Sequence, residues 1–284
     1  MVFFPPAKLN LGLHILGKRP DGYHALESVF LTTGWTDILE VNLAPDVAAG
    51  TLETTFTGRD IPGDPDTNLV VRAHKLVQER QALPGLRLHL HKVLPMGGGL
   101  GGGSSDGTWT LRAINEVCAL QLSAETLAGL AAELGSDCPF FAQDRAALVT
   151  GRGERLEPLG VDLPLAGWWV VVWNPGIHIA THEAFAGVVP SDRRTDWRAL
   201  ATLPVTEWHT LVRNDFEAGV VARHAVVGDA LERLRANGAA YAQMTGSGSS
   251  VFGLFAREAS ARQAAKSFDA SSGLHVAPLP PQNG

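Results

Sequence analysis

The sequence predicts an α+β protein with two domains, and three features of the chain support this. Its 284 residues suit one large or two modest domains. Hydrophobic residues make up 45% of the chain and charged residues 18%, a balance typical of globular rather than disordered proteins. Segments with the two-residue period of strands alternate with segments that have the period of helices. We predict that the domains are residues 1–155 and 156–284.

The first half begins with a predicted strand at Leu9–Leu16, where leucine and isoleucine alternate with Asn10 and other polar or small residues. An Arg19-Pro20-Asp21-Gly22 turn follows it. Further strands are predicted at Asp37–Leu43, Thr51–Thr57 and Leu86–Leu90. Helices are predicted to begin at the N-cap residues Asn68, Ser104 or Ser105, and Ser123. The second of these helices should end near Cys118 and the third at Gly135.

The second half has a different order of elements. Trp168–Trp173 is continuously apolar, which predicts a strand buried on both faces. A helix ending at Asn237-Gly238 precedes strands at Tyr241–Met244 and Val251–Phe255. A helix containing Ala261 to Phe268 and a strand at Leu274–Ala277 close the chain. This order is typical of a split β-α-β layer.

Charge, cysteine usage and hydropathy argue against several classes of protein. The formal net charge of -6 does not suit a general nucleic-acid binder, which needs a surface that neutralises phosphates. Cys118 and Cys138 form no C-x-x-C pair, so we expect no zinc site, and the low cysteine count favours two reduced thiols over a disulfide. The N-terminal stretch lacks the features of a signal peptide, and the longest apolar run, Leu165–Trp173, is too short to span a bilayer. We expect a cytoplasmic protein without a membrane partner.

The strongest chemical signal is the glycine-rich segment Pro95–Asp106, which lies between a predicted strand and a predicted helix. Ordering so many glycines is costly, and convergence of bare backbone N–H groups on a phosphate beside a helix N-terminus would offset that cost. The segment lacks the lysine of a P-loop. Gly103-Ser104-Ser105-Asp106-Gly107 matches the G-x-S-x-G pattern of hydrolases, but glycine rather than a buried strand precedes it.

Three other features are weak individually and specific in combination. Lys8 stands at the start of the first predicted strand, Asp137 follows a helix end, and Met244–Val251 is a second Gly/Ser segment between strands. A lone strand-end lysine is usually solvated, and an Asp before Cys-Pro usually forms a turn. Together they supply what phosphoryl transfer needs, namely phosphate binding, a cation and a carboxylate near the accepting hydroxyl.

At these residues the chain resembles the galactokinase, homoserine kinase, mevalonate kinase and phosphomevalonate kinase (GHMP) superfamily. The three motifs of that superfamily occur in order, as P-A-K-L-N-L-G-L-H at Pro6–His14, P-M-G-G-G-L-G-G-G-S-S-D at Pro95–Asp106 and M-T-G-S-G-S-S-V-F at Met244–Phe252. The resemblance implies a ribosomal-protein-like N-terminal β-α domain that binds ATP and a ferredoxin-like C-terminal domain that contributes to substrate binding. D-G-Y-H at Asp21–His24 and G-R-G-E-R-L at Gly151–Leu156 resemble the branch that phosphorylates a sugar alcohol carrying cytidine diphosphate, in isoprenoid precursor biosynthesis.

The resemblance also implies residue roles. Lys8 and Asp137 match the catalytic pair. The residues that match the ATP site are Asn68, Lys92, Pro95, Met96, Gly97, Gly98, Gly99, Leu100, Gly101, Gly102, Gly103, Ser104 and Ser105. The residues that match the substrate site are Asn10, Tyr23, His24, Thr181, Phe185, Gly246 and Ser247. Within that set, Tyr23 and Phe185 would stack the cytosine, and His24 would hydrogen-bond its edge.

The expected cofactors are ATP and magnesium, whose protein ligands the sequence does not identify, and the expected state is a monomer or weak homodimer. Gly107-Thr108 stands where the family has small alanines. Two alternatives remain open. A related kinase could act on a small alcohol such as mevalonate or homoserine, although Tyr23, His24 and Phe185 disfavour it. A non-catalytic RNA-binding protein could share the β-α layering, although the net charge disfavours it.

Overall fold

The computed structural model describes residues 1–18, 22, 24–143, 145–191 and 195–282. The chain divides into two compact units, each assembled from separated stretches of sequence. Unit 1 comprises Met1–Ala7, Thr36–Met96 and Gly101–Asp144, and unit 2 comprises Lys8–Trp35, Gly97–Leu100 and Arg145–Gly284. The boundary predicted between residues 155 and 156 stays a prediction.

The strands are numbered along the chain. They are β1 Val2–Phe3, β2 Pro6–Lys18, β3 His24–Thr36, β4 Ile38–Leu43, β5 Leu52–Gly58, β6 Leu86–Lys92, β7 Ala147–Thr150, β8 Arg155–Pro158, β9 Trp169–Trp173, β10 Tyr241–Met244, β11 Val251–Phe255 and β12 Leu274–Pro278. Every strand predicted from periodicity is present, with bounds that differ by a few residues. The periodicity did not predict β1, β3, β7 and β8.

The helices are likewise numbered in chain order. They are α1 Leu69–Gln78, α2 Gly102–Val117, α3 Ala124–Leu134, α4 Phe140–Gln143, α5 Thr181–Phe185, α6 Trp208–Leu211, α7 Glu217–Arg223, α8 Ala225–Ala236, α9 Glu258–Ala265 and α10 Ala270–Gly273. Short 3-10 helices occur at Pro65–Thr67, Trp197–Ala201 and Val205–Glu207. In the part of the chain that the structure describes, no helix combines the length and apolar character needed to cross a bilayer.

Unit 1 contains a four-stranded sheet in the order β1-β4-β6-β5, in which β5 and β6 run parallel and the other pairs antiparallel. One face of β4 and β6 is apolar and packs on α1 and α2 through residues such as Val41, Leu88, Val70 and Ala113. A second apolar cluster joins α1, α2 and α3. The sheet therefore supports α2, the helix that follows the glycine-rich segment.

Unit 2 contains an antiparallel sheet in the order β10-β11-β9-β12. The order of its main elements along the chain is β9, α8, β10, β11, α9 and β12, which is the split β-α-β arrangement predicted for the second half. Helices α7, α8 and α9 pack on this sheet through an apolar cluster that includes Val220, Leu231 and Ala264. Another sheet, in the order β2-β3-β7-β8, lies mostly in this unit.

The predicted helix caps were right at two places and wrong at a third. The side chain of Asn68 accepts from Val70 N, and that of Ser123 accepts from Thr126 N. The prediction that Ser104 or Ser105 caps α2 is wrong, because Gly101 is the N-cap and both serines lie inside the helix. Gly101 has φ +69°, a left-handed conformation that glycine adopts readily, so the chain turns into the helix before it reaches the serines.

Gly107 and Thr108 are accommodated by the packing of α2. A Cβ at Gly107 would lie 2.9 Å from Leu69 Cβ, so glycine allows α2 to approach α1 closely. Thr108 Oγ1 lies 3.0 Å from Ser104 O and 2.9 Å from Cys138 O, to which it can donate. Cys138 and Cys118 are free thiols, as predicted.

Candidate active site

A cavity of about 340 Å³ opens in unit 1 beside the start of α2. Asn68 and Lys92, which the resemblance places near adenine and ribose, both line it, and so do Met96 and Gly103 of the glycine-rich segment. The end of β5 and the loop that follows it, residues 56–65, form most of the rest of the wall. Two predicted parts of the ATP site are thus neighbours around one cavity.

Lys92 and Asp106, which both line this cavity, form an ionic cluster with Asp37, and each of the three is 2% exposed or less. Lys92 Nζ donates to Asp37 Oδ2, and to Asp106 Oδ2 at 2.6 Å. Asp37 Oδ1 also accepts from the backbone N–H groups of Val93 and Leu94, at 2.6 and 2.8 Å. These bonds fix the segment between β6 and the glycines.

The ionic cluster contains two carboxyl groups and one ammonium group, and their mutual charges affect the pKa values of Lys92 and Asp106. Burial alone would lower the pKa of Lys92, but the charges of Asp106 and Asp37 outweigh burial and raise it. Burial raises the pKa of Asp106 to about 7; Lys92 opposes this rise and the charge of Asp37 adds to it. Asp106 Oδ1 and Ser105 Oγ are buried without a hydrogen-bond partner.

The central glycines, Gly97–Leu100, belong to unit 2, where they pack on the second Gly/Ser segment. A Cβ at Gly99, which has φ +76°, would lie 2.2 Å from Thr245 O. A Cβ at Gly98 would lie 2.4 Å from Asn174 Nδ2. These two glycines are therefore required by the fold itself, irrespective of any phosphate.

Gly103 differs from those glycines because nothing lies within 4 Å of a Cβ placed on it. It is helical and lines the cavity of unit 1, so its lack of a side chain leaves open space rather than room for a protein neighbour. Close approach of a ligand to the backbone is the ordinary reason for glycine at such a position.

Lys8 and Asn10 lie side by side on β2, and both are buried, at 4% and 1% exposed. Lys8 Nζ donates to Asn10 Oδ1 at 2.6 Å and lies 4.3 Å from the centre of the Phe30 ring. Asn10 Nδ2 donates to Ser28 Oγ at 2.9 Å. A lysine at the end of a strand is usually solvated, whereas Lys8 is buried.

The aromatic residues expected around cytosine are only partly described. Tyr23 lies outside the described residues. The rings of His24 and Phe185 stack with centroids 4.7 Å apart and an interplanar angle of 22°. Phe185 also makes an edge contact with Phe216, with centroids 4.8 Å apart. His24 therefore covers one face of Phe185 in this structure.

The other predicted residues occupy turns and loops. Asp137 lies half-buried in the turn after α3, in unit 1, whereas Lys8 belongs to unit 2. Thr181 is exposed at the start of α5. Gly246 and Ser247 lie in the turn between β10 and β11, where Gly246 O accepts from Asn214 Nδ2 at 2.8 Å. The roles assigned to all four stay predictions.

Sequence reasoning missed several polar residues of these sites. Asp37, Ser28, Asn214 and Asn174 were not singled out, although each bonds a residue of a motif or packs on one. Asn214 Nδ2, for example, also donates to Met244 O at 2.8 Å. No short motif identifies such residues, because their partners are far away in the sequence. Among the described residues, no group of three or more His, Cys, Asp or Glu side chains could hold a metal ion.

Comparison with known proteins identifies the family. The GHMP kinases N terminal domain family matches residues 68–145, and the GHMP kinases C terminal family matches residues 193–272. The chain is 41% identical over 257 residues to the 4-diphosphocytidyl-2-C-methyl-D-erythritol kinase of Cytophaga hutchinsonii, covering 90% of this chain and 92% of the relative. This chain belongs to the 4-diphosphocytidyl-2-C-methyl-D-erythritol kinase family of GHMP kinases. It is thus a phosphotransferase with an alcohol acceptor.

Solved structures agree with the assignment of this chain to the GHMP kinases. A crystal structure of 4-(cytidine 5'-diphospho)-2C-methyl-D-erythritol kinase superimposes with a TM-score of 0.82 at 31% identity, covering 97% of this chain and 98% of that one. Mevalonate kinase of L. major, crystallised with R-mevalonate, gives a TM-score of 0.65 at 16% identity, over 100% of this chain and 97% of that one, and shows the fold alone. The predicted α+β architecture of GHMP kinase N- and C-terminal domains is confirmed.

Proposed function

We propose that this kinase transfers the γ-phosphate of ATP to the 2-hydroxyl of 4-diphosphocytidyl-2-C-methyl-D-erythritol, in the non-mevalonate route to isoprenoid precursors. The observation that carries this proposal is the 41% identity over 90% of the chain with a relative named for that substrate. The motif residues around Lys8, Gly99 and Thr245, which match the three motifs of the superfamily, support it.

For the nucleotide, we propose that adenosine enters the cavity of unit 1, where Asn68, Lys92 and Met96 form part of the wall. The phosphates would then reach the glycine-rich segment and the N-terminus of α2, where unpaired N–H groups favour an anion. Magnesium fits this region, because the buried Ser105 Oγ lacks a hydrogen-bond partner and is the kind of oxygen that the ion prefers. When bound, the ion would neutralise charge on the phosphate oxygens.

For the acceptor, we propose that Asp137 takes or orients the proton of the reacting hydroxyl, and that Lys8 offsets negative charge in the transition state. Asn10 would hold the sugar alcohol, since one of its two amide hydrogens has no protein acceptor among the bonds described for it. Cytosine would stack on Phe185. His24 must leave the face of Phe185 before a base can occupy it, because 4.7 Å between centroids leaves no room for a third ring.

ADP release measured with ATP, magnesium and the cytidylyl acceptor tests the function as a whole. We expect turnover with that acceptor, inhibition by CMP, and none with mevalonate or homoserine. Turnover with a small alcohol and no effect of CMP would favour the alternative acceptor. Asp137→Asn should lose at least about 100-fold in kcat while retaining ATP affinity; near-normal turnover would remove Asp137 from the mechanism.

A pair of glycine substitutions tests the nucleotide site. Gly103 in α2 and Gly129 in α3 are both helical, and nothing lies within 4 Å of a Cβ on either. Either change to alanine should raise the free energy of unfolding by up to about 1 kcal/mol, because alanine favours helix. Only Gly103→Ala should weaken ATP binding in a calorimetric titration, since its methyl group would fill space that we assign to the nucleotide. Equal ATP affinity in the two variants would contradict this placement.

A further inference from the structure

The hydroxyl of Thr245 lies where three motif segments of unit 2 meet. Thr245 Oγ1 accepts from the backbone N–H of Asn10 at 3.1 Å. It also lies 3.1 Å from Asn10 Oδ1 and 3.3 Å from Gly99 O, both of which can accept its proton. Thr245 is fully buried, at 0% exposed. One side chain thus contacts the lysine-bearing strand and the glycine-rich segment.

The Thr245 hydroxyl can donate only one hydrogen bond at a time. It carries a single hydrogen, so at any moment it donates either to Asn10 Oδ1 or to Gly99 O, while it accepts from Asn10 N. Valine has nearly the same shape but can make none of these bonds. Serine retains the hydroxyl and loses only a methyl group. The two substitutions therefore separate the hydrogen bonds from the packing.

The side-chain amide of Asn10 is held at both of its ends. Its oxygen accepts from Lys8 Nζ at 2.6 Å and from Thr245, and its nitrogen donates to Ser28 Oγ at 2.9 Å. Ser28 Oγ in turn donates to Gly12 O at 2.6 Å. Because Thr245 donates to the same amide oxygen as Lys8, loss of the Thr245 hydroxyl should shift the amide and with it the Lys8 ammonium group.

We propose that Thr245 is a positioning residue for catalysis, which acts through Asn10 to hold the ammonium group of Lys8 in place. This inference rests on the proposed function, in which Lys8 stabilises the transition state. Transition-state stabilisation is sensitive to displacements of about 1 Å, whereas binding of ATP in unit 1 does not involve Lys8. A defect in positioning should therefore lower kcat and leave the KM for ATP unchanged.

Steady-state kinetics of three variants test the proposal. Thr245→Val should lower kcat by about 10- to 100-fold with an unchanged KM for ATP, and Thr245→Ser should restore kcat to within about threefold of the wild type. Thr33→Val is the matched control, a buried threonine of β3 whose Oγ1 accepts from Trp35 N at 3.1 Å, and it should keep the wild-type kcat. If Thr245→Val does not fold, Thr245→Ala makes the same test. Unaltered kcat in the folded variant, or an equal loss in Thr245→Ser, would overturn the proposal.

A second measurement needs no turnover. Isotopic competitive acetylation, read by mass spectrometry, compares the reactivity of Lys8 with that of Lys75, whose side chain is 52% exposed. The ratio of Lys8 to Lys75 labelling should change in Thr245→Val and return to the wild-type value in Thr245→Ser. If the wild type has no kinase activity but the labelling ratio changes in Thr245→Val and returns in Thr245→Ser, the proposed function is refuted while Thr245 still positions Lys8. An active wild type with identical labelling in all variants would refute the positioning role alone.

Discussion

Two buried polar clusters, one in each unit, hold the motif segments by different physical means. The ionic cluster of unit 1 consists of Lys92, Asp37 and Asp106. The neutral cluster of unit 2, which we define as Asn10, Ser28 and Thr245, bonds through amide and hydroxyl groups. Both are almost completely buried. They differ in charge, and the consequences of that difference can be measured.

The comparison indicates which cluster governs stability and which governs chemistry. Removal of one partner from a buried ion pair leaves an uncompensated charge, which is strongly destabilising. Removal of one partner from a neutral hydrogen bond leaves only an unsatisfied dipole, which costs less. The ionic cluster should therefore dominate folding and its pH dependence. The neutral cluster should act mainly through orientation and be insensitive to pH.

The largest expected effect is that of Lys92→Met, which removes the shared cation. Asp37 and Asp106 would then face each other as buried acids, so the free energy of unfolding should fall by about 3–5 kcal/mol in urea titrations near neutral pH. Lys75→Met is the control, since Lys75 pairs with Asp66 on the surface at 3.3 Å and should contribute less than about 1 kcal/mol. Equal effects of the two substitutions would contradict the distinction between the clusters.

The pH dependence of stability sharpens the comparison further. The pKa of Asp106 is raised from 3.8 to about 7 by burial, so between these values the folded state binds more protons than the unfolded state. The contribution of Asp106 is fully present below pH 3.8 and is lost as the pH rises through about 7. Its slope can reach about 1.4 kcal/mol per pH unit.

The Asp106→Asn variant has no titrating group at this position. Comparison with the wild type therefore isolates the contribution of Asp106 to the pH dependence of the free energy of unfolding. The free energy of unfolding of the wild type minus that of Asp106→Asn should fall as the pH rises from about 4 to about 7 and then level off. The measurement is a series of urea titrations without nucleotide or divalent metal. A difference that stays constant with pH would show that Asp106 is ionised throughout.

The smallest expected effect is that of Ser28→Ala in the neutral cluster. It leaves Asn10 Nδ2 and Gly12 O without their partner, so stability should fall by about 1–3 kcal/mol. The loss should be the same at about pH 5 and about pH 8, because the amide and carbonyl groups that Ser28 bonds do not titrate in this range. Ser271→Ala removes an exposed hydroxyl and serves as the control. A loss that varies with pH would place a titrating group in the neutral cluster.

Local signals predicted much of the fold. The cap at Asn68, the cap at Ser123 and the buried strand at Trp169–Trp173 depend on residues within a few positions of each other, and all are present. The start of α2 was mispredicted because two rules compete there. Serine favours an N-cap, but the left-handed Gly101 turns the chain first.

The site was predicted less completely, because its contacts are long-range. The motifs identified Lys8, Asn10 and the glycines, but not the burial of Lys8, which requires β2 to be covered on both faces. Asn10 and Thr245 are 235 positions apart in the sequence, and Asp37 and Lys92 are 55 apart. No periodicity or turn chemistry connects such positions. The sequence also did not reveal that protein neighbours occupy the space at the Cβ positions of Gly98 and Gly99.

Phosphorus-31 NMR of a completed reaction tests the central claim most directly. With ATP, magnesium and the cytidylyl-erythritol acceptor, we expect one new phosphomonoester signal, equal in amount to the ADP formed, while the diphosphate signals of the acceptor remain. Inorganic phosphate in place of that signal would show an ATPase without an acceptor at this site. A phosphomonoester formed on mevalonate or homoserine instead would show that the proposed acceptor is wrong.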